Sequence, residues 1–151
     1  MSSNIYPGVV DDLSRLYRET ILRHAQDPVG FHKAIRATHH NEQFNPLCGD
    51  RIRVLLEVDG EVVIDAAFEG EACAICKASA SLLCEGAPGQ TASSLLELHG
   101  WLKSALQGAG DSAGHESLRP LLGVQRYPSR IRCALLPWEA LAGAVDAGLP
   151  G

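Results

Sequence analysis

Aromatic side chains are scarce in this 151-residue chain, at 5% of positions, and no dense run of Lys or Arg occurs. The first shortage argues against stacking platforms for single-stranded nucleic acid. The second, with a formal net charge of −5, removes the electrostatic footing for gripping a phosphate backbone. Long apolar runs are missing too, each being broken by charge well before the roughly 18 residues of a membrane span. The opening stretch from Met1 to Asp12 has neither the basic start nor the apolar centre of a signal peptide. A cytoplasmic, reducing location is therefore expected, with no membrane and no nucleic-acid partner. The five cysteines are an odd number, which suits thiols or metal ligands there better than a disulfide framework.

What is present suffices for one domain. A hydrophobic fraction of 46% and a charged fraction of 21% over residues 1–151 describe a single globular unit, long enough to bury a core. Its core is expected over about residues 11–147. A helix is expected from about Asp11 to Ala25, with Leu13, Leu16, Tyr17, Thr20, Ile21 and His24 on one face and Asp11 or Asp12 as its cap. Asp27-Pro28 and Gly30 end it.

The middle of the chain reads as β. Ile52, Val54, Leu56 and Val58 alternate with Arg51, Arg53 and Glu57, and Asp59-Gly60 suits a type I′ hairpin turn. On the return strand Val62, Ile64, Ala66 and Phe68 are expected to face one way, with Asp65 and Glu69 opposite. A third strand is expected around His32 to His39. Beyond it the pattern turns helical, from Cys73 to about Glu85, from about Thr91 to Leu106, and briefly from Glu116 to Leu122. Gly108 to Gly114 reads as a flexible loop, and a C-terminal stretch runs from Pro128 to Val145. Strands followed by helices define an α+β fold, a small three-stranded antiparallel sheet with helices packed on one face.

Cys48-Gly49-Asp50 falls in a turn before the first hairpin strand, and Cys73 where the second strand gives way to a helix. A hairpin closed near Asp59-Gly60 returns the chain, so residues near 50 and near 69–71 lie side by side. Cys48, Asp50 and Cys73 should then share one end of the sheet, a soft donor set with a carboxylate of the kind that suits tetrahedral zinc. The helix N-terminus beside Cys73 favours its thiolate. Cys133, in Ser129-Arg130-Ile131-Arg132-Cys133, is the fourth candidate. Arg130 and Arg132 bring positive charge to it, and Pro137 should make a helix there kink or restart.

Each candidate has a plainer reading. Cysteine is often a small buried hydrophobe, the natural reading for Cys84. Asp50 could serve only its turn. Cys76 makes a CxxC with Cys73, but the βαβ setting of a thioredoxin-like motif is not visible, which leaves it as core filler or accessory thiol. His39 and His40, adjacent in an extended segment, point to opposite faces and do not form a metal pair. His99 and His115 have no assignable partner.

Four segments then carry a likeness. Asn45-Pro46-Leu47-Cys48-Gly49-Asp50, Phe68-Glu69-Gly70-Glu71-Ala72-Cys73, Ala78-Ser79-Ala80-Ser81 and Arg130-Ile131-Arg132-Cys133-Ala134 resemble the NifU/IscU family of iron–sulfur cluster assembly proteins, most closely its SufU branch. Leu16-Tyr17-Arg18, His24 and Asp27-Pro28 resemble that family's N-terminal helix, so the likeness spans about Leu13 to Leu141. It implies metal ligands at Cys48, Asp50, Cys73 and Cys133. Among them Cys48, on its turn, is the expected sulfur acceptor, with Arg130 expected to orient a persulfide. It also implies zinc as the bound metal, with iron or a [2Fe–2S] cluster as the alternative at the same site. The implied partners are a SufS-type, pyridoxal-phosphate cysteine desulfurase and a downstream sulfur or cluster acceptor. Zinc-dependent sulfurtransfer, a cluster scaffold and a structural zinc-binding interaction domain all remain open. Arg132 stands where scaffold-type members have His, and residues of about 107–124 resemble a SufU-type insertion. Both features lean toward sulfur transfer. Ala72 departs from the branch, where Gly is usual.

Overall fold

Alternation sets the sheet and helical spacing sets what covers it. The structure, a computed structural model, describes residues 7–108 and 115–148. In chain order come α1 (Pro7–Gln26), β1 (His39–Asn45), β2 (Asp50–Asp59), β3 (Val62–Glu71), α2 (Ala74–Gly86), α3 (Ala92–Leu106), a 3₁₀ segment (Glu116–Arg126), a short 3₁₀ turn (Pro128–Arg130) and α4 (Ile131–Gly148). The sheet is antiparallel, in the order β1-β2-β3. Ile52, Val54 and Leu56 are fully buried on one face of β2, where α4 packs across β1 and β2 and α2 meets β3. The architecture is the α+β arrangement expected from the pattern of elements.

Several local expectations are corrected. The third strand is not at His32–His39 but follows it, at His39–Asn45. β1 pairs along β2 from His39 opposite Leu56 to Asn45 opposite Asp50, and its alternation is polar enough to hide from a hydrophobic pattern. The β2–β3 turn is centred on Gly60 and Glu61, because Asp59 already pairs with Val62. Gly60 has φ +65° and Glu61 is not in the positive-φ region, which departs from the expected type I′ turn on Asp59-Gly60.

The return strand also changes face. Glu57 pairs with Asp65 but Val58 pairs with Val63, so Ile64 is the extra residue of a bulge. Val63 is buried in consequence, together with Ala66 and Phe68, while Val62 and Ile64 are exposed. A single inserted residue inverts the parity of everything on one side of it.

In α1, Thr20, Ile21 and His24 are buried as expected, but Leu16 is exposed. The helix starts at Pro7, so Asp11 and Asp12 lie inside it and do not cap it. The side chain of Leu13 lies outside the described residues. Glu116–Arg126 is 3₁₀ and not α-helix, and of the expected 108–114 loop and 107–124 insertion, residues 109–114 lie outside the described residues. α4 neither stops nor restarts at Pro137 but runs through it. The proline costs one interior bond, the one the Cys133 carbonyl would have accepted.

Candidate metal centre

The end of the sheet farthest from the Gly60 turn is built by three separate pieces of backbone. The first is the connection between β1 and β2. Asn45, buried at the end of β1, accepts the Cys48 and Gly49 N–H groups at its carbonyl (3.3 and 2.8 Å) and the Leu47 N–H at Oδ1 (3.2 Å). Gly49 takes φ +75°, a region that L side chains avoid, and this lifts Cys48 to the surface.

The second piece is the start of β2 with the end of β3. Asp50 is buried beside Asn45, its pairing partner. Its Oδ1 accepts the Cys73 N–H at 2.8 Å, and its Oδ2 lies 3.5 Å from the Cys73 sulfur. Gly70 has φ +135°, and any Cβ there would drive into the Arg51 carbonyl. Only glycine lets the strands close tightly enough to bring Cys73 under Asp50. Cys73 itself is half-buried and is the N-cap of α2.

The third piece is α4, which buries Cys133 completely. Two bonds fix α4 against α2. Ser79 Oγ donates to the Ala134 carbonyl and accepts from Trp138 Nε1 at 3.1 Å. Ser81 does the same service for α1, accepting the Val29 N–H and bonding His24 Nδ1, each at 2.7 Å. The small residues at 78–81 therefore allow close helix packing while two hydroxyls lock its register.

These pieces bring the donor atoms together. The sulfurs of Cys48 and Cys133 are 3.4 Å apart. With a carboxylate oxygen of Asp50 they form a group whose donor atoms all lie within 4.8 Å of one another. Cys73 is not in that mutual group and joins it through Asp50 Oδ2. Zinc–sulfur bonds of about 2.3 Å and zinc–oxygen bonds of about 2.0 Å set tetrahedral neighbours about 3.8 Å (S–S) and about 3.5 Å (S–O) apart. The observed 3.4 and 3.5 Å are close to those spacings. Three thiols and one carboxylate also match zinc in softness and charge. Cys48, Asp50 and Cys133 therefore have the spacing of three ligands of one divalent ion, and Cys73 meets that group through Asp50 Oδ2 alone.

Electrostatics correct one expectation. Arginine was expected to favour the Cys133 thiolate, yet the Cys133 thiol is pushed well up by burial, with hydrogen bonds to Cys48 and Asp50 adding to the rise. In the metal-free chain burial and negative neighbours outweigh Arg130. That guanidinium is nonetheless engaged: its pKa is raised first by a hydrogen bond to Cys133, then by Cys73, Cys133 and Cys48. Tyr17, stacked on Tyr127 with ring centroids 6.2 Å apart, sits in the same field. Burial, then Tyr127, raises its pKa, Arg130 opposes this, and Cys73 adds to the rise. Arg132 is exposed.

The remaining candidates separate cleanly. Cys84 is buried core, its thiol pushed up to about 12 chiefly by desolvation. His39 bonds Thr38 Oγ1 at 2.7 Å and His40 is exposed, so neither reaches the thiols. His99 has a buried ring nitrogen without a partner among the described residues, and His115 meets Trp101 edge-on. Asn45 was missed, because its importance lies in backbone groups it gathers from three residues on. An Asn at the end of a strand before Pro-Leu-Cys-Gly is the signal that could have found it.

An antiparallel α+β fold with a thiol–carboxylate cluster at one sheet end defines a class of metal-handling domain. The chain belongs to the family of the NifU-like N terminal domain, which it matches over residues 16–134. It is 36% identical over 136 residues to the zinc-dependent sulfurtransferase SufU of Bacillus subtilis, covering 89% of this chain and 92% of that one. It is 33% identical over 131 residues to the iron–sulfur cluster assembly scaffold protein IscU of Thermotoga maritima, covering 86% and 92%. Among solved structures, the N-terminal part of a nitrogen-fixing NifU-like protein from Brucella abortus superposes with TM-score 0.78 at 25% identity, covering 87% and 92%.

Proposed function

We propose that this chain serves iron–sulfur cluster assembly in the cytoplasm as a zinc-bound acceptor of persulfide sulfur. Its donor would be a cysteine desulfurase of the SufS type, and a downstream acceptor would take the sulfur onward. The observation that carries this reading is the convergence of Cys48, Asp50 and Cys133 within 4.8 Å, with Cys73 tied to Asp50. Cys48, Asp50, Cys73 and Cys133 are the proposed ligands. Zinc, when bound, keeps such thiols ionised near neutral pH and holds them in one geometry.

The division of labour follows from exposure. Cys48 is the exposed thiol of the cluster, whereas Cys133 is buried and Cys73 half-buried. Its thiolate attacks the outer sulfur of the partner's persulfide; a new S–S bond forms at Cys48 and the partner leaves as a thiolate. Arg130, exposed and cationic three residues before Cys133 on the chain, would orient the anionic persulfide. Asp50 stays buried, held by the Cys73 N–H. Leu47, 82% exposed, and Phe44, 57% exposed, flank the reactive turn, an apolar rim that suits a protein partner over a small sulfur donor.

The test is Cys48→Ser mixed with a SufS-type desulfurase, cysteine and pyridoxal phosphate. The fold should be retained, sulfane sulfur on the chain should fall to background, and the desulfurase should lose its stimulation. Full sulfur uptake by the variant would refute the acceptor assignment. The relatives named as scaffolds support a second reading, in which the same residues hold a [2Fe–2S] cluster. Anaerobic reconstitution separates the two: a stable visible chromophore in place of stoichiometric zinc favours the scaffold.

A further inference from the structure

Cys76 has no place in the chemistry above, yet it lies beside it. It is the third residue of α2, fully buried, and no hydrogen bond occupies it among the described residues. Burial pushes its thiol up, and Asp50, Cys73, Cys133 and Cys48 add to the rise in that order. By position Cys76 is buried in the first turn of α2, three residues beyond the proposed ligand Cys73 at its N-cap.

Its relation to Cys73 is the distinctive one. Cys73 is the N-cap, with φ −69° and ψ 169°, and follows the end of β3 at Glu71 by two residues. Positions three apart on a helix have Cα atoms about 5 Å apart, inside the roughly 4.4–6.8 Å that a disulfide spans. The extended backbone of Cys73 also frees its side chain from the helical turn. A half-buried thiol at the cap and a shielded one a turn further in are the asymmetry of an attacking and a resolving cysteine. No βαβ unit occurs among the described residues, but the local strand-to-helix junction that such a pair needs is present.

We propose that Cys73 and Cys76 form a redox-active dithiol that closes to a disulfide when no metal holds Cys73. The metal-gated half of this rests on the reading of Cys73 as a ligand; the dithiol itself does not. The oxidant class is a low-molecular-weight disulfide. The Cys73 thiolate attacks it, forming a mixed disulfide and releasing one thiolate. The Cys76 thiol then gives up its proton and attacks the Cys73 sulfur, expelling the second thiolate. Two protein thiols are oxidised and one small disulfide is reduced to two thiols. Closure removes Cys73 from the donor set, so oxidation would empty the metal site.

Glutathione disulfide is the probe, applied to the full chain with and without zinc, followed by alkylation, trypsin and mass spectrometry. Cys73 and Cys76 share the tryptic peptide 54–77, whereas Cys48 and Cys133 fall on two others. In metal-free protein, peptide 54–77 should lose two hydrogens. In Cys76→Ser the same treatment should stop at a glutathione adduct on Cys73. A persistent adduct in the unsubstituted chain, both thiols left free, or Cys73 cross-linked to Cys48 or Cys133 would overturn the dithiol. Cys48 and Cys133 are the competing pair, at 3.4 Å, and their bond alone counts against the proposal. Zinc should slow closure about tenfold or more. Equal rates would reject the metal gate and the ligand role of Cys73 while leaving the dithiol standing.

Discussion

Asp50 offers the sharpest test, because two substitutions separate its two roles. Its Oδ1 accepts the Cys73 N–H and its Oδ2 faces the Cys73 sulfur from a buried position. Asp50→Ala removes both and leaves the Cys73 N–H without its partner. An orphaned, partly buried donor costs about 1–3 kcal/mol, which lowers the Tm of a chain this long by about 2–12 °C. Asp50→Asn keeps the volume and the acceptor oxygen, so the metal-free protein should melt within about 1 kcal/mol of the unsubstituted one. What Asn cannot supply is the anionic donor. Loss of groups that merely support a ligand weakens metal binding about 10–100-fold, and losing the ligand itself should exceed that. The assay is zinc competition against a chromophoric chelator, with melting in excess chelator as the stability arm. Both variants should lose zinc affinity, and only Asp50→Ala should lose metal-free stability. Zinc held by Asp50→Asn within about twofold of the unsubstituted protein, well inside the 10–100-fold expected, would refute Asp50 as a ligand and leave it a turn residue.

Three further outcomes are expected. Ser79→Ala strands the buried Trp138 N–H and should cost about 1–3 kcal/mol, seen as a lower denaturant midpoint; an unchanged midpoint would show that the α2–α4 lock contributes nothing. Gly70→Ala forces a side chain into φ +135° and against the Arg51 carbonyl, so it should destabilise by about 3 kcal/mol or more and weaken zinc binding. Burial lowers the His24 pKa below its ordinary value, with Arg23 adding to the fall and Glu85 opposing it. The unfolded chain then binds the extra proton first, so stability should be complete above about pH 6.5 and drain away as pH falls through the depressed folded value. Melting of His24→Gln across that window should show a flatter pH profile, and an identical slope would refute the linkage.

Mechanistically, the three structural layers are unequal in what they tolerate. The Cys48 turn depends on local bonds to Asn45 and the φ of Gly49. The Cys73 junction depends on strand closure at Gly70, and Cys133 depends on helix packing through Ser79. Perturbing the last two should therefore move metal affinity and stability together, whereas perturbing Cys48 should move sulfur uptake and metal affinity with little change in metal-free stability.

Local chemistry by itself determined the β2–β3 hairpin, the helices around 74–86 and 92–106, and Cys48, Asp50 and Cys73 at one sheet end. Alternation, helical spacing and the strand-reversing Gly60 act over a few residues and leave their mark there. The position of β1 was not legible, because His39–Asn45 is a mostly polar strand stabilised by backbone pairing to β2. The burial of Val63 over Val62 and Ile64 was not legible either, since a bulge is decided by how β3 meets β2 and the core beneath. Only tertiary packing decided how Cys133 meets Cys48 across 85 residues, and how far its thiol is pushed up. Both follow from α4 lying on the sheet, where burial outweighs the arginine that the linear neighbourhood brings forward.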